Sequence, residues 1–160
     1  MPSPHAQATL PTWRYWVTGC MAVVMLSLTE ARAQSSGLIT RASRFSVKET
    51  LQRIEEVATA RGLTIFARID HAGEASRAGQ AMRPTQLLVL GNPKGGTPVM
   101  QAAPSAAIDL PLKVLVAERA DGTTEVTIND SRWLADRHGV PSDLVKNVSA
   151  LPGLLDAALQ

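Results

Sequence analysis

An Asp–Gly pair between two alternating apolar runs is the feature that most limits how this chain can fold. Residues 112–119 read LKVLVAER, residues 124–130 read TEVTIND, and Asp121 and Gly122 stand between them. Asp–Gly is a preferred pair in tight turns between antiparallel strands, because those turns need positive φ angles. The two runs are therefore predicted to form a β-hairpin, and the sheet that contains it is antiparallel at that point.

The elements before this hairpin are predicted from capping and periodicity. A short strand is expected around residues 38–42, and Ser46 with Glu49 forms a capping box that begins a helix. Residues 63–70 alternate with period two, which predicts a half-buried strand. That alternation would place Leu63, Ile65, Ala67 and Ile69 on one side and Thr64, Phe66, Arg68 and Asp70 on the other.

The remaining elements are an apolar strand and several short helices. Residues 86–92 are predicted to form the strand. Thr97 followed by Pro98 has the pattern of an N-cap with proline at the first helical position. A helix capped near Asp130 is expected next, and then a C-terminal helix interrupted at Pro152.

The order of these elements predicts the fold class. The chain reads as strand, helix, four strands and C-terminal helices. This order favours a single α+β domain over residues 38–160, with a mainly antiparallel sheet and helices packed on one face, rather than a doubly wound parallel sheet. A chain of 160 residues with a processed leader has the length of one domain.

The N-terminal residues have the pattern of a secretory signal peptide. An apolar run at residues 16–28 is well below the roughly 20 residues that span a bilayer, and Ala-Arg-Ala follows at residues 31–33. We expect residues 1–33 to be cleaved, which leaves a periplasmic or secreted protein without a stable membrane anchor. Val-Thr-Gly-Cys at residues 17–20 resembles a lipobox, but most of the apolar run follows the cysteine, so a lipoprotein is not expected.

Removal of this leader limits the kinds of reactive or binding site that the mature protein can contain. The single cysteine lies within it, so no disulfide, thiolate nucleophile or cysteine metal site is expected. Only Phe45, Phe66 and Trp133 remain as aromatic residues, and the basic residues are scattered. We therefore expect no nucleic-acid partner. No cofactor or metal is predicted, and no G-x-S-x-G sequence supports a serine nucleophile.

A glycine-rich segment around one lysine raises the question of phosphate binding. Residues 91–97 read GNPKGGT, so the lysine precedes its glycines and Pro93 removes one N–H donor. A Walker phosphate loop needs the opposite order, and that match fails. Two interpretations stay open. An anion could sit at a helix N-terminus beside Lys94, or the glycines could supply positive φ in a strand-to-helix connection.

Four sequence blocks carry a family resemblance. They are FARIDHA at residues 66–72, GNPKGGTPVMQ at 91–101, AIDLPLK at 107–113, and Asn-Asp at 129–130 shortly before LADRHG. In this order they closely resemble the bacterial family called domain of unknown function 302, over roughly residues 38–160. The resemblance implies an α+β fold similar to the TATA-binding-protein-like class and suggests a homodimer. It implies no activity.

The last four strands, if they form a simple meander, bring alternate strand ends together. Five polar residues should then lie at one end of the sheet: Asn92, Lys94, Asp109, Asn129 and Asp130. Such a group predicts a pocket for a small polar or anionic ligand, with Lys94 for a negative group. The alternative is structural, because Asp109 and Asp130 could cap local elements and Lys94 could pair with either of them.

Asp70 and His71 form a second candidate site at the other end of the sheet. They suggest an acid/base pair or a metal ligand, although the spacing to the next histidine, His138, matches no metal motif. The leading functional hypothesis is a non-catalytic ligand-binding or accessory module. The alternatives are a small hydrolase or isomerase that uses Asp70 and His71 or Asp109 and Lys94, and a dimeric assembly protein.

Overall fold

The computed structural model describes residues 36–160, which form a single α+β domain built on a five-stranded sheet. Every neighbouring pair of strands is antiparallel, and the spatial order is β1-β5-β4-β3-β2. The strands are β1 (Leu38–Ser43), β2 (Thr64–Asp70), β3 (Thr85–Gly91), β4 (Leu112–Glu118) and β5 (Thr124–Asn129). The predicted fold class and the predicted hairpin are confirmed.

Five α-helices and two 3₁₀ helices connect and follow these strands. The α-helices are α1 (Val47–Ala60), α2 (His71–Arg77), α3 (Pro93–Ala102), α4 (Ser131–His138) and α5 (Leu151–Ala158). The first 3₁₀ helix is Pro104–Ile108 and the second is Val145–Val148. Within residues 36–160, none of these helices combines the length and the apolar character needed to cross a membrane. The predicted signal peptide, residues 1–33, lies outside the described residues.

The capping box places α1 as predicted. The Ser46 hydroxyl accepts a hydrogen bond from the Glu49 amide at 3.2 Å, which satisfies one of the free N–H groups of the first turn. The Thr50 and Ser43 hydroxyls are 2.8 Å apart and buried, so they tie α1 to β1. The helix buries an apolar stripe that consists of Val47, Leu51, Ile54 and Ala58.

The hydrophobic core lies on one face of the sheet. Alternate residues of the three central strands are buried and in register with one another: Leu88, Leu90, Val114, Val116, Val126 and Ile128. They form one cluster with residues of α1, α3, α4 and α5. Leu87, Val89 and Leu115 point to the opposite face, are only half-buried and do not belong to this cluster. Helices α1, α3, α4 and α5 therefore cover one face, as predicted.

Strand β2 differs from its predicted alternation because it contains a bulge. The pairing with β3 shifts register between Ile65 and Ala67, and Phe66 is the extra residue, with half of its surface exposed. A bulge inverts the alternation beyond it. Arg68 therefore lies on the same face as Ile65, and the predicted grouping of Ile65 with Ala67 and Ile69 is wrong. Strand β2 is mostly exposed because it is at the sheet edge.

Two predicted helix boundaries are also wrong. Helix α3 begins at Pro93, not after Thr97, and Pro98 lies inside it. Proline fits the first turn because the N–H it lacks has no partner there anyway, and Pro93 occupies that position instead. Pro152 likewise stands in the first turn of α5, so it begins that helix and does not interrupt it.

Candidate functional site

A cleft of about 240 Å³ opens at the end of the sheet where β3 ends and β4 begins. Its walls come from β2, from α3, from the segment that leads into β4, and from the second 3₁₀ helix. The apolar side chains in these walls include Phe66, Met100, Leu110, Pro111 and Val148. The Asn92 and Asn147 side chains are the amides among the lining residues, and none of the lining residues is charged.

The glycine-lysine segment forms the first turn of α3 and one wall of this cleft. The side-chain oxygen of Asn92 accepts a hydrogen bond from the Lys94 amide at 2.9 Å. The main-chain carbonyl oxygen of Asn92 accepts from the Gly95 and Gly96 amides, each at 2.9 Å. The first-turn N–H groups are therefore already bonded, which leaves no anion site at this turn. Neither Gly95 nor Gly96 has a positive φ, so the alternative interpretation of these glycines is wrong as well.

The two glycines matter because they lack a side chain, not because of their backbone conformation. A Cβ atom at Gly95 would lie 3.1 Å from the Asn147 carbonyl oxygen, so glycine lets the second 3₁₀ helix pack closely against α3. A Cβ atom at Gly96 would have the Met100 methyl carbon as its nearest neighbour, at 4.0 Å. The missing side chain at Gly96 therefore leaves part of the cleft open.

The strand ends of the meander do meet at one end of the sheet, but the five polar residues predicted there have separate roles. Asn92 caps α3 and lines the cleft. Lys94 is exposed and is not among the lining residues. The Asp130 carboxylate accepts from the Arg132 amide at 2.8 Å and caps α4. Asn129 ends β5, where it pairs with Leu38 of β1.

Asp109, the fifth of these residues, forms a hydrogen bond with a histidine. The distance from His138 Nε2 to Asp109 Oδ2 is 2.7 Å, and His138 Nδ1 is 3.0 Å from the Ser105 hydroxyl. The Arg137 guanidinium lies 3.5 Å from the same carboxylate oxygen. Only 5% of the His138 side chain and 15% of the Asp109 side chain are exposed. The structure brings Asp109 to His138, and it records no ion pair between Asp109 and Lys94 within residues 36–160.

This Ser105–His138–Asp109 chain was not predicted from the sequence. His138 stands before the left-handed Gly139 at the end of α4, a position that a helix dipole alone explains. Asp109 and His138 are 29 residues apart, and their contact depends on how the first 3₁₀ helix packs on α4. The one available signal is that both residues lie in the sequence blocks AIDLPLK and LADRHG.

Residues 39–158 match the family described as Domain of unknown function DUF302. The chain belongs to this family. The match extends from β1 into α5, so the cleft and the Asp109 contacts are both parts of the DUF302 domain. The family resemblance carried by the four sequence blocks is confirmed.

Curated relatives of this DUF302 protein have names that refer to ion transport. "Fluoride-specific ion channel FluC 1" of Brucella suis biovar 1 is 42% identical over 111 residues, which are 68% of this chain and 44% of that protein. "Fluoride-specific ion channel FluC 2" of Brucella melitensis biotype 1 is 42% identical over 111 residues, 68% of this chain and 41% of that protein. The chain spans less than half the length of these relatives.

A solved structure shares the fold. The crystal structure of an uncharacterized conserved DUF302 protein from Bacillus stearothermophilus is similar to this chain, with a TM-score of 0.66 and 20% sequence identity. The similarity covers 78% of this chain and 96% of that one. At this level of identity the comparison supports the α+β fold alone.

Asp70 and His71, the second predicted site, lie at the junction of β2 and α2 in the DUF302 domain. The Asp70 carboxylate accepts from the Gly73 amide at 3.0 Å and caps α2, and His71 is the first residue of that helix. Neither residue lines the cleft. Over residues 36–160, no group of three or more His, Cys, Asp or Glu side chains is arranged to hold a metal ion.

Proposed function

We propose that this DUF302 protein is a non-catalytic binding module whose cleft takes a small, neutral and mainly apolar molecule. The supporting observation is the cleft of about 240 Å³, whose walls are mainly apolar and whose polar lining residues are Asn92, Thr97 and Asn147. An apolar cavity of about 150 Å³ is enough to bind benzene, so this volume suits one ring with a small substituent. Apolar walls supply binding free energy, and a few polar groups fix orientation.

The charges around the cleft also support a neutral ligand. Among residues 36–160, no charged side chain lines it, and Lys94 is exposed outside it. An anion in such a cleft would lose hydration without gaining a partner charge. The polar or anionic ligand expected at Asn92, Lys94 and Asp109 therefore has less support here than a neutral one. From the signal-peptide pattern of residues 1–33, we further propose that the protein acts in the periplasm or outside the cell.

The test is a thermal-shift and NMR screen with benzyl alcohol, phenol, indole and sodium fluoride. We expect the aromatic probes, and not fluoride, to raise the melting temperature of the wild type. Gly96→Leu should abolish this shift, because the new side chain enters the cleft. Gly153→Leu is the matched control, since Gly153 is exposed and lies in another helix, α5. A shift that persists undiminished in Gly96→Leu would contradict the proposal.

A hydrolase or isomerase has less support. Of the two acid/base pairs expected from the sequence, Asp70 and His71 lie away from the cleft, and Asp109 is bonded to His138 instead of Lys94. Transfer of a proton to a substrate needs a group within hydrogen-bond reach of it. The Asp109 cluster joins the first 3₁₀ helix to α4, which is a structural role.

We also propose that the protein self-associates through the sheet face opposite the core. Leu87, Val89 and Leu115 form the centre of this face and lie outside the core cluster. Its two charged groups are already bonded, because Lys113 donates to the Asp109 carbonyl at 3.0 Å and Glu125 pairs with Arg119. Leu87, Val89 and Leu115 form the apolar part of the face, Thr127 and Thr40 beside them are polar, and a second copy of the same face complements the apolar part.

The size of this face also suits a dimer. Five strands about 4.8 Å apart and about 20 Å long have a flat footprint of about 500 Å². Because side chains protrude from the sheet, the accessible area of the face is larger than this flat footprint. It approaches the roughly 800 Å² per partner of a standard interface.

A further inference from the structure

A second, polar groove of about 380 Å³ lies between α1 and the strands β2 and β3. It is near the start of β3, whereas the apolar cleft is at the end of that strand. Four of its lining residues follow one stripe of α1, at the spacing that puts helical side chains on the same side. The lining residues are Lys48, Leu51, Gln52, Glu55, Arg68 and Gln86.

Glu55 gives this groove an unmet hydrogen-bonding requirement. Its Oε2 atom pairs with the Arg68 guanidinium, but its Oε1 atom is buried and has no hydrogen-bond partner within residues 36–160. A buried acceptor without a partner costs about 1–3 kcal/mol, and more when it is charged. Such a group needs a donor from outside the protein, either water or a ligand.

The bulge in β2 is the reason that Arg68 reaches this groove. Without the extra residue Phe66, the alternation of β2 would place Arg68 on the face opposite α1. Bulges often redirect a side chain toward a functional site. Here the bulge brings the guanidinium onto the Glu55 carboxylate, and the pair forms one side of the groove.

Lys48 supplies a cation at the other end of the helical stripe. It is exposed, and the structure shows no ion pair for its ammonium group within the part of the chain that it describes. Positions 48 and 55 are seven residues apart, which is about 10 Å along the helix axis. With Lys48 and Arg68 against Glu55, the groove carries an excess of positive charge.

We propose that this groove binds a small carboxylic acid that also carries a hydroxyl or ammonium group. The ligand carboxylate pairs with the Lys48 ammonium, and the ligand donor reaches the buried Glu55 Oε1 when the Arg68 side chain, more than half of which is exposed, moves aside. Gln52 and Gln86 offer further amide contacts along the groove. This site is separate from the apolar cleft, and it contains none of the five residues at which the sequence predicts a small polar or anionic ligand.

Three probes of matched length separate the two contacts. By titration calorimetry, 6-aminohexanoate should bind wild type about tenfold or more tightly than hexanoate or hexylamine, because a hydrogen bond to a charged group contributes that much. Gluconate tests whether a ligand hydroxyl can replace the ammonium group as the donor to Glu55 Oε1. Glu55→Gln and Lys48→Gln should each weaken 6-aminohexanoate about tenfold. Glu74→Gln, in the exposed helix α2, is the control and should bind like wild type.

Two results would overturn this proposal. Wild-type protein that binds neither 6-aminohexanoate nor gluconate would show that water alone satisfies Glu55. Binding that survives both groove substitutions would place the ligand elsewhere. Gly96→Leu closes only the apolar cleft, so it should leave binding in the groove unchanged, and the two proposals can fail independently.

Discussion

Two adjacent glycines, Gly95 and Gly96, show how position decides what a residue contributes. Both lie in the first turns of α3 with ordinary helical φ angles. Gly95 faces the Asn147 carbonyl, whereas Gly96 faces the open cleft. The same residue type therefore allows close packing at one position and leaves space for a ligand at the next.

Alanine at each of these positions should have opposite effects on stability. Gly96→Ala should raise the free energy of unfolding by about 0.5–1 kcal/mol, because alanine restricts the unfolded chain and meets no obstacle here. Gly95→Ala should leave the protein about 1–3 kcal/mol less stable than Gly96→Ala, because the new methyl group crowds a backbone oxygen. Urea unfolding at one fixed protein concentration measures the free energy of unfolding of both variants. Equal stability of the two variants would show that the second 3₁₀ helix shifts freely.

The Asp109 contacts hold two short elements together. The first 3₁₀ helix has five residues and α4 has eight, so neither is long enough to be stable without tertiary contacts. His138 contacts Ser105 near the start of the first 3₁₀ helix and Asp109 just after its end. This arrangement fixes the segment that leads to Leu110 and Pro111 in the wall of the cleft.

Removal of the Asp109 charge should loosen this part of the molecule. We expect Asp109→Asn to lower the free energy of unfolding by about 1–3 kcal/mol, the range for a largely buried hydrogen bond to a charged group. Arg137→Gln should lower the free energy of unfolding by less than Asp109→Asn, since half of the Arg137 side chain is exposed. Asp136→Asn, at an exposed position of α4, serves as the control. If Asp109→Asn unfolds like that control, the contact does not stabilise the domain.

Local signals in the sequence predicted most elements but not all of their boundaries. The capping box at Ser46 and the Asp–Gly turn at Asp121 act within a few residues, so they could be interpreted directly. In the folded hairpin, the hydrogen bonds from Thr123 hold the pKa of the Asp121 carboxyl below its usual value. The start of α3 was mispredicted because Pro93 and Pro98 both fit the N-terminal proline pattern, and the Asn92 cap decides between them.

The candidate sites depended on contacts that local patterns do not contain. Asn92 was expected at one end of the sheet, where the strand ends of a meander meet, and it lines the cleft at that end. The His138–Asp109 contact joins residues 29 positions apart, and Arg68 lies on the same sheet face as Glu55 because a bulge shifts the register of β2. A bulge in an exposed edge strand leaves no clear trace in hydrophobic periodicity.

At the scale of the whole molecule, the distribution of apolar surface is uneven. One sheet face is covered by helices, and the other presents Leu87, Val89 and Leu115 with Ile69 at one edge and Leu38 at the other. Leu38 and Ile69 are 53% and 38% exposed. Ile69, Leu87 and Leu115 are adjacent in register, whereas the polar residues of β5 separate Leu38 from them. Contiguous apolar surface such as that around Leu87 is typical of protein–protein interfaces.

A charge at the centre of this face should break the proposed dimer. Leu115→Glu puts an unpaired carboxylate where two apolar faces would meet, and such a group is costly to bury. We expect wild-type protein to have twice the monomer mass by light scattering after size-exclusion chromatography, and Leu115→Glu to have the monomer mass. Ile108→Glu is the matched control, because Ile108 is an exposed apolar residue outside the five strands, in the first 3₁₀ helix. A wild type that is monomeric at high concentration, or a dimer that Leu115→Glu does not weaken, would exclude this face as the interface.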